Sequence, residues 1–397
     1  MIKIESTRWS YGPETEEILD FANMVFSMEY SSTDFNALLP KAYDKTRCSI
    51  LTHHIIRENN KIRALIDCYP VTMKLNGEED RELKAVYVGT VSVHPKSRKK
   101  GYMIELMKRA EEDAVREGCA LMILDGSRHR YQPFGFERAG IQYSFQLDTN
   151  NIRHCCTQIY DKTYMASPVY SFAAFQERSP YLKYLYELYQ YRTVTARTQD
   201  DFLRCLQSYH GETYVILKED IPVGYVNLSE DKGNILEIEL KDIQELPRVV
   251  YDLMMDCDLE QLDIRAGMDE TDKIEQLQKM CDCCNSLMSH QIKILDYEAV
   301  LEFLLKWKQK YCTLAICDYV IGVRDDITGI VENYLLSVSE TQIQVSHTKQ
   351  SADTVFEALE LVRVLTTNLF FVEQHKIKNA PAGWFPLPFY LPEADTF

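Results

Sequence analysis

The segment between a predicted strand at 85–93 and a predicted helix at 101–117 carries residue types that bind phosphate. Its loop holds three cations, Arg98, Lys99 and Lys100, and Gly101 stands where the helix begins. The first turn of a helix leaves backbone N–H groups unpaired and carries a partial positive charge. A glycine lets an anion approach that backbone closely, and the cations add attraction. The segment therefore predicts a site for a pyrophosphate group, with a solvated basic turn as the alternative.

The elements around this segment indicate an α/β fold with mixed sheets. An amphipathic helix at 14–29 precedes strand-like runs at 49–57 and 62–75. The phosphate segment then leads into a short, wholly apolar strand at 119–124, typical of a strand buried on both faces. Together these elements predict a first domain at 1–148.

Two further domains follow in the prediction. The second, at 149–290, repeats part of the order of helices and strands of the first domain but contains no phosphate-type loop. The third, at 291–397, starts with a helix at 297–308, continues with strands and a helix at 351–366, and closes with an aromatic tail. No low-complexity linker separates the three, so we expect them to pack closely.

The composition excludes several classes of protein. The 397 residues include 44 Lys and Arg against 60 Asp and Glu, and the net charge of −16 argues against non-specific nucleic-acid binding and suits a cationic substrate. No apolar run reaches the roughly 20 residues that span a bilayer, and the N-terminal residues lack signal-peptide regions, so we expect a cytoplasmic protein without membrane partners. The cluster Cys281-Asp282-Cys283-Cys284 with His290 has no second ligand pair, so no metal site is predicted.

Two motifs make the sequence resemble a known family. The basic loop reads Arg98-x-x-Gly101-x-Met103, similar to the acetyl-CoA signature Q/R-x-x-G-x-G/A of Gcn5-related N-acetyltransferases (GNAT), with Met103 in place of the second small residue. The run from Tyr131 to Phe136, Tyr-x-x-Phe-Gly-Phe, resembles the Eis-like (enhanced intracellular survival) acetyltransferases of that superfamily. The total length and the chain end, Phe385-Pro386-Leu387 … Asp395-Thr396-Phe397, are similar too.

This resemblance implies an architecture and an acetyl-CoA site. It implies tandem GNAT-type acetyltransferase domains, the second degenerate, followed by a sterol-carrier-protein-like α+β domain, assembled as a homo-oligomeric hexamer. The residues expected at the acetyl-CoA site are Val91, Ser92, Val93, Arg98, Lys99, Lys100, Gly101, Tyr102, Met103, Ile104, Gly126 and Ser127. Phe26 and Glu29, in and near the first helix, are the candidate substrate-binding residues.

The C-terminal tail offers a candidate base. The run 383–392 is too apolar and aromatic to extend into water, so we expect the tail to be buried. Phe397 would then hold its α-carboxylate, ionised at neutral pH, in a defined place. In Eis-like enzymes the terminal carboxylate reaches the active site as the base, and the resemblance makes Tyr131 the general acid. Glu29 or a water chain is the alternative base, and a tail docked only for packing is the alternative for Phe397.

These features predict an acetyl-CoA-dependent N-acetyltransferase. It would transfer the acetyl group directly to a primary amine of a cationic acceptor, which could be aminoglycoside-, polyamine- or lysine-like. The alternative from a different class is a non-catalytic acyl-CoA- or lipid-binding protein that keeps the fold as a scaffold. Turnover with a panel of amines separates the two, because only the enzyme transfers the acetyl group.

Overall fold

The computed structural model describes residues 2–8, 12–29, 32–44, 50–75, 82–161, 164–176, 178–192, 194–325 and 328–397. Residue 49, the predicted start of a strand, lies outside these residues. The chain forms two units. Unit 1 consists of residues 1–140, 288–389 and 397, and unit 2 consists of residues 141–287 and 390–396.

The strands have the following bounds in chain order. The first nine are β1 Ile2–Arg8, β2 Thr52–Glu58, β3 Lys61–Lys74, β4 Glu82–Val93, β5 Leu121–Leu124, β6 Glu137–Ala139, β7 Gln142–Asp148, β8 Tyr170–Ala174 and β9 Glu212–Lys218. The others are β10 Ile221–Leu228, β11 Asn234–Leu240, β12 Gln261–Gly267, β13 Cys283–Leu287, β14 His290–Ile294, β15 Cys317–Arg324, β16 Val331–Val338, β17 Ile343–Thr348 and β18 Thr354–Glu357.

The α-helices alternate with these strands. They are α1 Pro13–Ser27, α2 Phe35–Leu38, α3 Pro40–Tyr43, α4 Tyr102–Arg116, α5 Arg128–Tyr131, α6 Thr149–Ile159, α7 Leu182–Arg192, α8 Gln199–Gln207, α9 Leu246–Asp256, α10 Thr271–Met280, α11 Tyr297–Gln309, α12 Ala358–Thr366 and α13 Leu369–Glu373. None of the helices in the described ranges is long and apolar enough to cross a membrane.

Unit 1 contains a seven-stranded sheet of order β1-β2-β3-β4-β5-β14-β6. Neighbouring strands are antiparallel except β4 and β5, which are parallel and are connected by α4. The helix buries Leu106, Met107 and Ala110 in the core that it shares with this sheet, and all four residues of β5 are buried. The mixed α/β fold predicted from the sequence is thereby confirmed.

Unit 2 contains a second seven-stranded sheet, of order β13-β7-β12-β11-β10-β9-β8. It repeats the connection of the first sheet, because antiparallel strands β9 to β11 are followed by a parallel pair, β11 and β12, joined through α9. The start of α9 differs from the start of α4. Glu245 directly precedes α9 and accepts hydrogen bonds from Tyr170 and Lys218, and no glycine stands there. A carboxylate at this helix start disfavours a phosphate.

Residues 390–396 of the tail are held in unit 2 by a buried ion pair. The guanidinium of Arg197 donates to Asp395 Oδ1 at 2.6 Å and to Asp395 Oδ2 at 2.9 Å. The same group donates to Glu237 Oε2 at 2.6 Å, and all three residues are buried. The tail is buried earlier as well, within unit 1, since Trp384, Leu387 and Phe389 are each 0% exposed. The apolar tail therefore packs into the protein, as its composition predicted.

The last part of unit 1 forms a four-stranded sheet of order β17-β16-β15-β18. The prediction of a helix at 351–366 is wrong in its first half, because Thr354–Glu357 is a strand that pairs in parallel with β15. Residues 354 and 356 are buried while 355 and 357 are exposed, the period of two that suits a half-buried strand. The division into domains at 1–148, 149–290 and 291–397 and the sterol-carrier-like character of the third stay predictions.

Candidate active site

Strand β4 pairs with β5 only along the first half of its length. The parallel register joins Ala85–Tyr87 to Leu121–Ile123 and goes no further. On its other edge, β4 carries a bulge, because the register with β3 shifts between Leu65 and Asp67. Thr90 lies at the bulge with φ of 50°, a conformation that β-branched residues rarely adopt. Within the described residues, no strand pairs with the second half of β4 on the side of β5.

The helix that follows β4 begins at an open glycine. Gly101 has φ of 81° and is the N-cap of α4, and a Cβ atom added to it would meet nothing within 4 Å. The backbone at this helix start is therefore accessible to a ligand. Arg98 forms an ion pair with Glu29 at 2.5 Å, while the ammonium of Lys100 lies 3.0 Å from Glu58. The Lys100 ammonium lowers the pKa of the Glu58 carboxyl.

A cavity of ≈ 420 Å³ lies at this helix start. Ten residues expected from the sequence at the acetyl-CoA or substrate site line it: Phe26, Glu29, Val91, Val93, Arg98, Lys99, Gly101, Tyr102, Met103 and Ile104. Three further lining residues, Val25, Ser97 and Arg130, were not predicted. The combination of cationic side chains, a helix start and an apolar wall can hold a phosphate group joined to an apolar chain.

Four of the expected cofactor residues lie outside this lining. Ser92 is 1% exposed and donates its hydroxyl to the carbonyl of Thr90 at 3.0 Å. Lys100 points to Glu58, and Gly126 and Ser127 lie beyond the end of β5 at the start of α5. The roles predicted for these residues stay predictions.

Tyr131, the candidate acid, packs against the backbone of Gly126. It is 5% exposed and belongs to the core between α4 and the first sheet. A Cβ added at Gly126 would lie 2.8 Å from Cε2 of the tyrosine ring, and Gly126 has φ of 138°. A glycine is therefore required at this position, for the close approach of the ring and for the backbone conformation. The phenol is placed next to the end of β5.

Phe397, the candidate base, lies against β4. Its ring stacks with those of Tyr43 and Tyr69, with centroids 5.9 and 5.5 Å apart, and Tyr87 contacts it edge-on at 6.5 Å. A Cβ added at Gly89 would lie 2.6 Å from this ring and 3.1 Å from a main-chain oxygen of Phe397. Gly89 is thus the seat of the terminal residue, a position that sequence reasoning missed although a glycine inside a strand often marks a close approach.

A buried hydrogen-bond network holds the residues around Phe397 in place. The Tyr43 hydroxyl donates to Asp67 Oδ2 at 2.5 Å and lies 2.6 Å from Oγ1 of Thr90. Nδ1 of His53 lies 2.6 Å from the other carboxylate oxygen of Asp67, and both side chains are fully buried. The network fixes the β4 bulge and the Tyr43 ring together. A charged residue inside an apolar strand, as Asp67 is in the run 62–75, was the signal that could have indicated it.

A second polar group that the sequence reasoning missed lies at the end of β5. The Tyr87 hydroxyl donates to Asp125 at 2.5 Å, and Nδ1 of His290 lies 3.1 Å from both oxygens of that carboxylate. Burial acts to raise the pKa of Asp125, but the hydrogen bonds with His290 and Tyr87 and the positive charges of His290 and Arg138 together outweigh it, so the pKa is lower than usual. Across the described residues, no group of three or more His, Cys, Asp and Glu could hold a metal ion.

The first unit matches a known family of domains. Residues 12–139 match the family model described as an acetyltransferase (GNAT) domain, and this part of the chain is therefore such a domain. The match supports an N-acetyltransferase activity for this domain. GNAT domains take the acyl group from acetyl-CoA or another acyl-CoA. No curated protein matches the sequence of the chain.

Several solved structures share the fold over the whole chain. A probable N-acyltransferase of unknown function from Enterococcus faecalis V583 has 12% identity and a TM-score of 0.67, with 98% of this chain and 97% of that chain covered. A GCN5-related N-acetyltransferase from Kribbella flavida has 13% identity and a TM-score of 0.66, with both chains fully covered. Eis1 from Mycobacterium abscessus has 14% identity and a TM-score of 0.63, again with full coverage. At these identities the likeness shows the fold, and membership of the Eis-like family stays a prediction.

Proposed function

We propose that the protein transfers an acetyl group from acetyl-CoA directly to a primary amine of a cationic acceptor. One observation carries the proposal: strand β4 contributes Val91 and Val93 to the cavity at the helix start and, two residues earlier, seats Phe397 on Gly89. A cofactor site and a candidate base therefore share one strand. The net charge of −16 favours a cationic acceptor over an anionic one.

The residues at the start of α4 fit acetyl-CoA. The pyrophosphate would lie at Gly101, where the helix start offers backbone N–H groups and space, with Arg98 and Lys99 as nearby cations. Val91 and Val93 would flank the chain that ends in the thioester. Bound acetyl-CoA supplies the activated acetyl group, and the protein supplies orientation and proton transfer.

The reaction then needs three contributions from the chain. The Phe397 carboxylate removes a proton from the acceptor ammonium, because only the neutral amine attacks the thioester. A backbone N–H near Val93, on the part of β4 that has left β5, donates to the carbonyl oxygen as negative charge develops there. As the C–N bond forms and the C–S bond breaks, Tyr131 gives its proton to the leaving thiolate. The nitrogen, which becomes cationic on attack, returns a proton to the Tyr131 phenolate, and the proton held by the Phe397 carboxylate passes to solvent.

Transfer assays on the whole chain test this proposal. The unmodified protein is mixed with acetyl-CoA and, separately, with kanamycin, spermidine, cadaverine and Nα-acetyl-lysine methylamide, and acetylated product is measured by mass spectrometry. Product with at least one amine supports the proposal. Tight binding of acetyl-CoA by calorimetry with no product from any amine contradicts it and favours the non-catalytic scaffold.

The helix start gives a test of the cofactor site. Gly101→Asp should weaken acetyl-CoA binding by roughly 10-fold or more relative to Gly101→Asn, because the carboxylate would lie where the phosphates bind. Asn has a similar size and tolerates the same left-handed backbone, so the pair isolates the charge. Isothermal titration calorimetry with acetyl-CoA gives the affinities.

A matched control lies at the other end of the same helix. Gly118 also has a positive φ, of 75°, and open space at its Cβ position, so Gly118→Asp should leave the affinity unchanged. Equal affinities for the Asp and Asn variants at position 101 would remove the helix start from the cofactor site.

The seat of the terminal residue gives a second test. Gly89→Ala should reduce kcat at least about 10-fold while acetyl-CoA affinity stays the same, because the added methyl group displaces the Phe397 ring and the carboxylate with it. Combining Gly89→Ala with Phe397→Leu should restore part of kcat, since the shorter side chain makes room for the methyl group. Steady-state kinetics of the three variants measures this. Full kcat for Gly89→Ala alone would mean that the position of Phe397 does not matter.

The remaining expectations from the family resemblance stay proposals. They are the sterol-carrier-like third domain, the hexameric assembly and the cytoplasmic location. Light scattering of the purified protein tests the assembly, with a mass six times the 46.3 kDa of one chain expected.

A further inference from the structure

Asp125 is an accessible carboxylate fixed by buried partners. Its side chain is 45% exposed, whereas the His290 side chain that contacts it is 8% exposed and Tyr87 is 0% exposed. Tyr87 and His290 reach Asp125 from β4 and β14, the two strands that flank β5. Two neighbours thus orient the carboxylate while part of it stays open to a ligand.

This carboxylate is connected to both candidate catalytic groups through its neighbours. On one side, the next residue is Gly126, whose missing side chain leaves room for the Tyr131 ring. On the other side, Tyr87 joins Asp125 through its hydroxyl and contacts the Phe397 ring edge-on through its own ring, 6.5 Å away. Asp125 also follows Leu124 directly, where β5 ends and its pairing with β4 has stopped.

We propose that Asp125, held by Tyr87 and His290, binds a second ammonium group of the acceptor, next to the amine that is acetylated. The proposal rests on the proposed function and adds the residue that selects the substrate. The reacting nitrogen must be neutral when it attacks, so it cannot keep an ion pair at that moment. A second ammonium keeps its charge throughout and gains from a fixed carboxylate. Because the hydrogen bonds and the nearby charges of His290 and Arg138 keep the pKa of Asp125 low, the carboxylate stays charged at neutral pH.

The test compares diamines with monoamines on the Asp125→Asn variant. The probes are α,ω-diamines of three to six carbons and n-alkylamines of the same lengths, with acetyl-CoA saturating. The variant should raise KM for the best diamine by roughly 10- to 100-fold, as expected for a lost hydrogen bond to a charged group. It should leave kcat within about 3-fold and KM for the monoamines unchanged. Asn keeps the size of the side chain and can still accept from Tyr87, so folding should be preserved.

An exposed carboxylate on α1 provides the control variant. Asp20→Asn removes an exposed carboxylate from α1 and should change neither KM nor kcat. Equal KM changes for diamines and monoamines, or an unmodified protein without preference for diamines, would overturn the inference. So would a large loss of kcat at unchanged KM, which would make Asp125 a proton acceptor. Failure of the unmodified protein to acetylate any amine contradicts the proposed function instead, so the two failures are distinguishable.

Discussion

A protein extended by a few residues after Phe397 should bind acetyl-CoA with normal affinity and lose turnover by roughly 10²- to 10⁴-fold, the usual contribution of a positioned base. The extension converts the α-carboxylate into an amide, which cannot accept a proton from the ammonium. Phe397 lies on Gly89 of β4, whereas the cavity proposed to hold acetyl-CoA is lined by the start of α4. Stopped assays of product formation measure the turnover, and calorimetry measures the affinity for acetyl-CoA.

Two further variants separate the carboxylate from the side chain. Removing Phe397 shifts the carboxylate by one residue, at most about 3.3–3.6 Å, and should also abolish turnover. Phe397→Leu keeps the carboxylate and most of the apolar anchor between Tyr43 and Tyr69, so it should keep most of the activity. If the extended protein turns over as fast as the unmodified one, the base lies elsewhere, with Glu29 or a water chain as the remaining candidates.

Tyr131→Phe should lower kcat by roughly 10²- to 10⁴-fold with little change in KM for acetyl-CoA. The substitution removes only the hydroxyl, and the ring continues to pack against Gly126 and Phe136. If Tyr131 protonates the leaving thiolate, the variant loses this step, because the remaining phenyl ring has no proton to donate. Steady-state kinetics and a thermal melt give the activity and the folding of the same sample.

A tyrosine in the last part of unit 1 provides the matched control for this prediction. Tyr319 is 3% exposed and donates its hydroxyl to the carbonyl of Lys378 at 2.8 Å, so Tyr319→Phe removes a comparable buried hydroxyl. It should lower the melting temperature by a few degrees and leave kcat unchanged. A Tyr131→Phe protein with more than about half of the normal kcat would assign the acid role to another group.

Local sequence signals predicted the part of the site that lies in one stretch of chain. Gly101 and Gly118 mark the ends of α4 correctly to within a residue, because a helix start and stop depend on the backbone conformation of the residues there. Ten of the expected residues line one cavity for the same reason, since strand, loop and helix follow each other directly.

The missed residues depend on partners that are distant in sequence. Asp125 and His290 are 165 positions apart, and nothing near either residue indicates the pairing. The seat at Gly89 becomes visible only when the last residue of the sequence is placed on it. The local sequence around Thr354–Glu357 favours a helix, but the pairing of this segment with β15 outweighs that propensity and makes it a strand.

The position of β14 has a consequence for how the protein is made. This strand lies between β5 and β6, yet it is translated after the whole of residues 141–287. At ribosomal rates of about 5–20 residues per second, the nascent first sheet would wait roughly 7–30 seconds for its missing strand. During this time the backbone N–H and C=O groups at the edges of β5 and β6 lack the strand that finally pairs with both, so the emerging chain should depend on chaperones. A fragment that stops before His290 would never complete the sheet and should accumulate as an insoluble product.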